Sequence, residues 1–218
     1  MTPATLSPIS RSSLTRETVN RLRRAILEGA LAGGTPLPES QTAAKLGVSR
    51  VPVREALVEL ERQGLVEYDR NGRASVRAFA PEDITEIMSL RGTLQTMAAR
   101  HAASRLTDDD VRRLEDILAR ARETHDLTKF SELDTAFHDE IVAIAGHRRL
   151  QRVWADFRAQ MELWLARLHR QRESVKHDVR KATLQSHREM IDVLKKRKPA
   201  AAAALMERHC SWKEFPPL

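Results

Sequence analysis

Apolar residues fall at helical spacing through most of this chain, and only the stretch around residues 65–79 alternates as strands do. Over 15–27, Val19, Leu22 and Ile26 share one face, Thr15 is placed to cap the helix, and Gly29, Gly33 and Gly34 close it. Residues 38–46 predict a short second helix. Residues 49–63 predict a third, with Val53, Ala56, Leu57 and Leu60 as its buried stripe. Gly47 supplies the left-handed residue that ends the preceding helix. Ser49 is a good N-cap, and Pro52 falls in the first turn, where an N–H would lack a partner anyway. Residues 65–68 and 74–79 alternate like two short strands. The loop 69–73 joins them, and its Asn71-Gly72 is a strong hairpin signal. Three helices and a hairpin predict a winged helix-turn-helix.

Pro81 marks a boundary. Beyond it the pattern is almost wholly helical, with segments near 82–104, 107–124, 127–145, 148–170, 172–197 and 200–213. Thr107-Asp108-Asp109-Asp110 opens one of them with acids at the positive helix end. The expected fold class is therefore mainly α: an N-terminal winged helix-turn-helix followed by an all-α helical bundle. The expected divisions are a loose arm over 1–13, the winged unit over 14–80 and the helical domain over 81–218.

Charge sharpens the picture of the first unit. The chain of 218 residues carries a net charge of +7. Residues 1–79 hold 12 Lys/Arg against 8 Asp/Glu, so this part is the more basic per residue. A basic head favours a polyanion, although a merely solvated basic surface has the same composition. Arg50 and Arg54 lie one turn apart beside the apolar stripe of the third helix, so both can point at one target. Arginine pairs bidentately with the O6 and N7 of guanine, the commonest specific base contact. Arg70 and Arg73 would decorate the wing. Cys210 is the single cysteine, which excludes an intrachain disulfide and fits a reducing, cytoplasmic setting. No run approaches the ~18 apolar residues of a membrane span, and the N-terminus has no apolar core of a secretory signal.

The helical domain holds polar residues where apolar ones belong. Phe130, Leu133, Phe137 and Ile141 make a stripe, and Asp134 and His138 sit within it, four apart. His187 falls between Leu184 and Ile191–Leu194 on the inner face of its helix, and His209 between Leu205 and Trp212. A lone inward histidine is usually a satisfied core residue. Here there are three with a carboxylate, whose charge would be costly to bury unpaired. His187 and His209 are equidistant from residue 198, beside the Pro199 break, so an antiparallel hairpin brings both imidazoles to the same height. Asp134, His138, His187 and His209 are thus candidate ligands of a divalent transition metal, with Zn or Ni first and Mn or Co as alternatives. Arg91 lies on the stripe of Ile84, Ile87, Met88, Leu94 and Ala98, with Gln95 one turn on. It reads either as an ion-paired or snorkelling side chain or as a clamp for a carboxylate ligand. His101, His125, His147, His169 and His177 show no such constellation and are expected to face solvent or pack locally. Cys210 points about 100° away from His209 around the helix and is excluded as a ligand.

These residues resemble the GntR family of bacterial transcription regulators, in its FadR-type branch with the all-helical FCD domain. The recognition-helix signature is Gly47-Val48-Ser49-Arg50 with Pro52-Val53-Arg54-Glu55-Ala56-Leu57. The second motif is Asp134-x-x-Phe137-His138 with His187 and His209. The resemblance implies a homodimer on a palindromic operator in double-stranded DNA. Arg50 and Arg54 would read bases, Ser49 would touch phosphate, and Gly72 would bring the wing near the minor groove. It also implies a small effector, often a carboxylate, at or near the metal, with Arg91 and Gln95 beside it. Six predicted helices favour the shorter, VanR-like variant. Ser40 departs from the arginine that many relatives use toward DNA, Gln95 from a common glutamate, and His147 from a common asparagine.

The leading expectation is therefore a metabolite-responsive repressor, not an enzyme. The alternative is a metal-dependent hydrolase, since an open His/Asp site can activate water. Against it, the chain has no His-Glu-x-x-His pattern, and Asp139 and Glu140 fall on other faces of the helix of His138. In a third reading, the metal is only structural and the helical domain merely dimerises.

Overall fold

In the computed structural model, residues 11–174 and 179–210 are described. The chain divides into two compact units, Met1–Ala78 and Phe79–Leu218. The first holds α1 (Arg11–Leu27), α2 (Glu39–Leu46), α3 (Arg50–Arg62), β1 (Val66–Tyr68) and β2 (Ala74–Val76). Gly47 ends α2 at φ 66°, the left-handed geometry a Cβ disfavours, and its N–H closes back on the Ala43 and Ala44 carbonyls. Val53, Ala56, Leu57 and Leu60 of α3 are fully buried, and α1, whose Leu22 and Ile26 are also buried, packs against α3. The strands pair antiparallel in the register Val66↔Val76, Glu67↔Ser75 and Tyr68↔Ala74. Gly72 takes φ 71° in the turn, and the Asp69 carboxylate accepts the Asn71 and Arg73 N–H groups.

The second unit holds α4 (Pro81–Arg105), α5 (Asp108–Glu123), α6 (Leu127–Ile144), α7 (Arg148–Ser174), α8 (Val179–Lys195) and α9 (Pro199–His209). Local signals set several ends. The Asp83 carboxylate reaches back to the Ala80 N–H at 2.9 Å. Thr107 and Asp110 form a reciprocal capping box on α5, and Asp126 caps α6 through the Lys129 N–H. The core joins all six helices. Ala98, Ala99, Ala102 and Ala103 let α4 approach its neighbours closely, and Trp154, Phe157 and Trp164 of α7 fill the wider gaps.

The mainly α architecture is as expected, but several boundaries differ. The first helix begins at Arg11, so Thr15 lies inside it and caps nothing; its hydroxyl donates to Glu55 at 2.6 Å. Residues 11–13, expected in the loose arm, are helical, and residues 1–10 lie outside the described residues. The second strand stops at Val76, and Phe79 packs into the helical unit, with the Arg167 guanidinium 5.4 Å over its ring. The predicted helix 172–197 starts later, at Val179, because α7 runs on to Ser174. On α9 the buried face is Ala202, Ala203, Met206, His209 and Cys210, with Leu205 only half-buried. Trp212, the end of the predicted helix 200–213, and His177 lie outside the described residues.

Candidate nucleic-acid interface and metal centre

In the first unit, burying one stripe of α3 leaves the opposite face to solvent. Arg50 and Arg54 project there with side chains 63% and 60% exposed. They do not stand alone. Arg50 donates to Glu39 at 3.0 Å, and Arg54 donates two bonds to the same carboxylate at 2.8 and 2.9 Å. These bonds, Arg54 first, hold the Glu39 carboxyl down at about 2. So Glu39, at the start of α2, gathers both arginines onto one spot, a tie across 11 and 15 residues that helical spacing does not reveal. Val51 and Val58 are apolar residues exposed on the same helix. Ser49 occupies the N-cap position in extended geometry, with its side chain making no cap hydrogen bond. Gly72 and Arg73 lie exposed at the hairpin turn.

In the second unit, α6, α8 and α9 each turn a histidine inward. The ring centroids of His138, His187 and His209 stand 5.1, 5.2 and 5.2 Å apart, nearly an equilateral triangle. One ligand nitrogen from each lies within 4.8 Å of the other two. The His138 and His209 Nε2 atoms are 3.4 Å apart. Two nitrogens about 2.1 Å from one tetrahedral ion would stand about 3.4 Å apart. Asp134, one turn before His138, brings Oδ1 to 3.2 Å from the Nε2 of His187 and 3.9 Å from that of His138. Phe137 stacks on His187 with centroids 4.0 Å apart, and Ser186 fixes His209 through a 2.7 Å contact to Nδ1.

Burial decides the protonation of this cluster. His138 and His187 are pushed well below the usual imidazole range and His209 to about 3, first by desolvation and then by neighbouring charges, Arg91 among them. The imidazoles are neutral and offer lone pairs. Burial raises Asp134 to about 6, against the pull of Arg91. The Nε2 of His187 makes no hydrogen bond among the described residues although Asp134 Oδ1 lies 3.2 Å away, so a buried imidazole nitrogen and a carboxylate oxygen stand close without being joined, as suits two ligands of one ion. The donor set thus fits a divalent transition metal.

Arg91 is brought into the centre. It is 1% exposed, and its Nη2 donates to His138 Nε2 at 3.0 Å, while its Nε and Nη1 are buried without partners among the described residues. Gln95 is equally buried but turns elsewhere: its Nε2 faces the Met161 sulfur at 3.9 Å and its Oε1 faces Cys210 Sγ at 3.7 Å. The acids after His138 are engaged away from the cluster. Asp139 accepts from Trp154 and Arg158 at 2.6 Å each, and Glu140 from Arg113 at 2.8 Å. Of the two expectations for His169, local packing holds and solvent exposure does not, but its neighbours include the cluster's carboxylate: it is 2% exposed, with Nδ1 2.7 Å from Ser131 Oγ and Nε2 3.8 Å from Asp134 Oδ2. Of the others, His101 and His147 pack on each other at 5.4 Å.

A winged head followed by a helical bundle with a buried histidine cluster is an arrangement of the kind found in one-chain transcription regulators. Comparison with known proteins makes it particular. Residues 14–76 match bacterial regulatory proteins of the gntR family, and residues 86–211 match the FCD domain. The chain belongs to the GntR family, with an FCD domain as its helical unit. It is 28% identical, over 94% of its length and 89% of the relative's, to a probable D-xylose utilization operon transcriptional repressor of Paenarthrobacter nicotinovorans. It is 29% identical to the gluconate operon transcriptional repressor of Bacillus licheniformis, over 86% and 78% of the two chains. A solved structure of a putative GntR transcriptional regulator from Rhodococcus sp. RHA1 superposes with a TM-score of 0.70 at 26% identity, covering 91% and 94%. Among the described residues, no helix is long and apolar enough to cross a membrane.

Proposed function

We propose that the protein is a cytoplasmic, homodimeric repressor that reads a palindromic operator and is released by a small carboxylate. Arg50 and Arg54 read guanines in the major groove, Ser49 binds phosphate, and Gly72 and Arg73 bring the wing to the minor groove. Exposed Val51, beside the arginines, suits contact with a thymine methyl. In the helical unit, Asp134, His138, His187 and His209 hold a divalent transition metal, Zn or Ni before Mn or Co. The bound ion supplies a Lewis-acidic anchor for an effector oxygen.

The observation that carries the effector reading is the buried Arg91 guanidinium at the histidine triangle. Asp134 is the carboxylate that ion-pair distance brings to these imidazoles. One carboxylate does not balance a dication and a guanidinium, so the centre favours an anion, and a carboxylate matches the guanidinium fork. Gln95, one turn along α4, faces Met161 and Cys210 and adds no polar group to this lining. The gluconate repressor among the relatives is named for a carboxylate. Arg91 lies only ten residues into α4, the helix that directly follows the winged unit in the chain. Movement of α4 toward a bound anion therefore offers a route to the head, and a coupling of about 1–3 kcal/mol changes operator affinity by about 5–150-fold. Asp139 and Glu140, the acids that follow His138 in sequence, are engaged away from the cluster and do not serve there as a general base, which favours a sensor over a hydrolase.

The test begins with selection of duplexes from a random pool. A short enriched palindrome is then used in anisotropy with metal-loaded and chelator-treated protein against a carboxylate panel. Release by a carboxylate in the metal-loaded protein alone supports the whole reading. A pool that stays random refutes the regulator, and binding that ignores every carboxylate and chelator leaves the metal a structural role.

A further inference from the structure

Outside the four proposed ligands, a fifth buried polar side chain faces Asp134. His169 comes from α7, and Phe130 meets its ring edge-on with centroids 5.3 Å apart. Asp134 therefore has imidazoles on both sides. Its Oδ1 faces His187 and His138, and its Oδ2 faces His169 Nε2 at 3.8 Å. His169, Ser131 and Asp134 are 2%, 2% and 5% exposed, so these groups meet one another rather than water.

For the neutral imidazole, Ser131 sets which nitrogen of His169 carries the proton, and a doubly protonated ring presents the same Nε2–H to Asp134. The single hydroxyl proton of Ser131 has two acceptors in range, the Leu127 carbonyl at 3.0 Å and His169 Nδ1 at 2.7 Å. If it goes to Leu127, Nδ1 carries the imidazole proton, and the Nε2 lone pair faces a carboxylate oxygen in a buried site, which is repulsive. If it goes to His169, Nε2 carries the proton and presents N–H to the carboxylate, which is attractive. The shorter contact agrees with the second arrangement. At 3.8 Å the Nε2–H acts on Oδ2 as an aligned dipole, and a small rotation of the carboxylate closes it to a hydrogen bond.

From this arrangement we infer that His169, oriented by Ser131, is a positioning residue for Asp134: it holds Oδ2 so that Oδ1 alone is offered to the metal. The role rests on the reading of Asp134 as a metal ligand. Outer partners of this kind fix ligand orientation, and losing one typically costs about 10–100-fold in metal affinity. The sequence hides this residue because the stretch 159–169 of its helix is buried nearly all round, so an inward histidine there breaks no pattern.

Titration of the full chain with Co(II), followed by its visible d–d spectrum, tests the inference. His169→Leu is expected to weaken Co(II) binding about 10–100-fold and to change the band intensity as the carboxylate turns bidentate. His169→Gln, which keeps an N–H near the Nε2 position, restores most of both. Ser131→Ala shifts affinity in the same direction by less. A folded His169→Leu with wild-type affinity and spectrum overturns the inference. If that variant does not fold, Ser131→Ala decides: unchanged affinity overturns the inference, and weaker binding supports it. Asp134→Asn separates the two readings. Loss of Co(II) affinity there with no effect at His169 removes only the positioning role, whereas a wild-type chain that takes up no Co(II) removes the metal centre and the inference together.

Discussion

Arg91→Met asks whether the helical unit carries a cation that it would be more stable without. The guanidinium is 1% exposed, with Nε and Nη1 unpartnered among the described residues. A buried polar atom left unpaired costs about 1–3 kcal/mol, so the two together cost roughly 2–6 kcal/mol. Nη2 recovers part of this by donating to His138, and its removal leaves that nitrogen unpaired at about 1–3 kcal/mol. Methionine fills similar space with a flexible apolar chain. The balance favours the variant by roughly 1–3 kcal/mol, and at about 2–4 °C per kcal/mol the Tm of metal-free protein rises by about 2–12 °C. The same substitution removes a positive charge from beside the imidazoles, so metal affinity rises, and it removes the carboxylate partner, so effector response is lost. Calorimetry of chelator-treated protein gives the first number and operator anisotropy the second. A fall in Tm would show that the folded state satisfies the guanidinium and would refute the reasoning. A rise in Tm with an intact carboxylate response would remove Arg91 from the effector site.

Three further predictions concern the head and the backbone. Glu39→Gln frees Arg50 and Arg54 and removes a carboxylate from the surface meant for phosphates. With exposed pairs worth about 0–1 kcal/mol, operator affinity should rise by up to about tenfold in anisotropy at fixed salt, and a fall would mean that Glu39 holds the arginines in reading geometry. Gly47→Ala meets nothing within 4 Å but must keep φ near 66°, so thermal unfolding should show a loss of about 1–2 kcal/mol. Gly146→Ala, at φ 59°, also displaces the Arg105 guanidinium and should lose more; equal losses would show that Arg105 gives way freely.

The winged unit was legible because its signals are local. Gly47, Ser49 and Pro52 lie within six positions and the α3 stripe within eight, and the structure builds the turn and helix there. The helical segments beyond Pro81 were legible from their period, and the hairpin of α8 and α9 from Pro199, whose placement puts His187 and His209 at equal distances from the turn. Other features escaped for stated reasons. α1 begins four residues before Thr15 because residues 11–14 carry no breaker, and a cap residue also fits inside a helix. His169 escaped because the neighbouring Leu163, Trp164, Leu165, Ala166 and Leu168 are all buried, so periodicity offers no contrast on α7.

By itself, the sequence determined which elements form, which faces they bury and which side chains are candidates for metal binding or base reading, because these follow from neighbours a few residues apart. Tertiary structure alone decided the partners: Glu39 gathers the two arginines, Arg91 donates to His138, Gln95 turns to Met161 and Cys210, and His169 faces Asp134. Each of these joins groups 11 to 115 positions apart. No local pattern encodes such distances. The packing of whole helices sets them, and in a buried site that packing also decides which groups keep their charge.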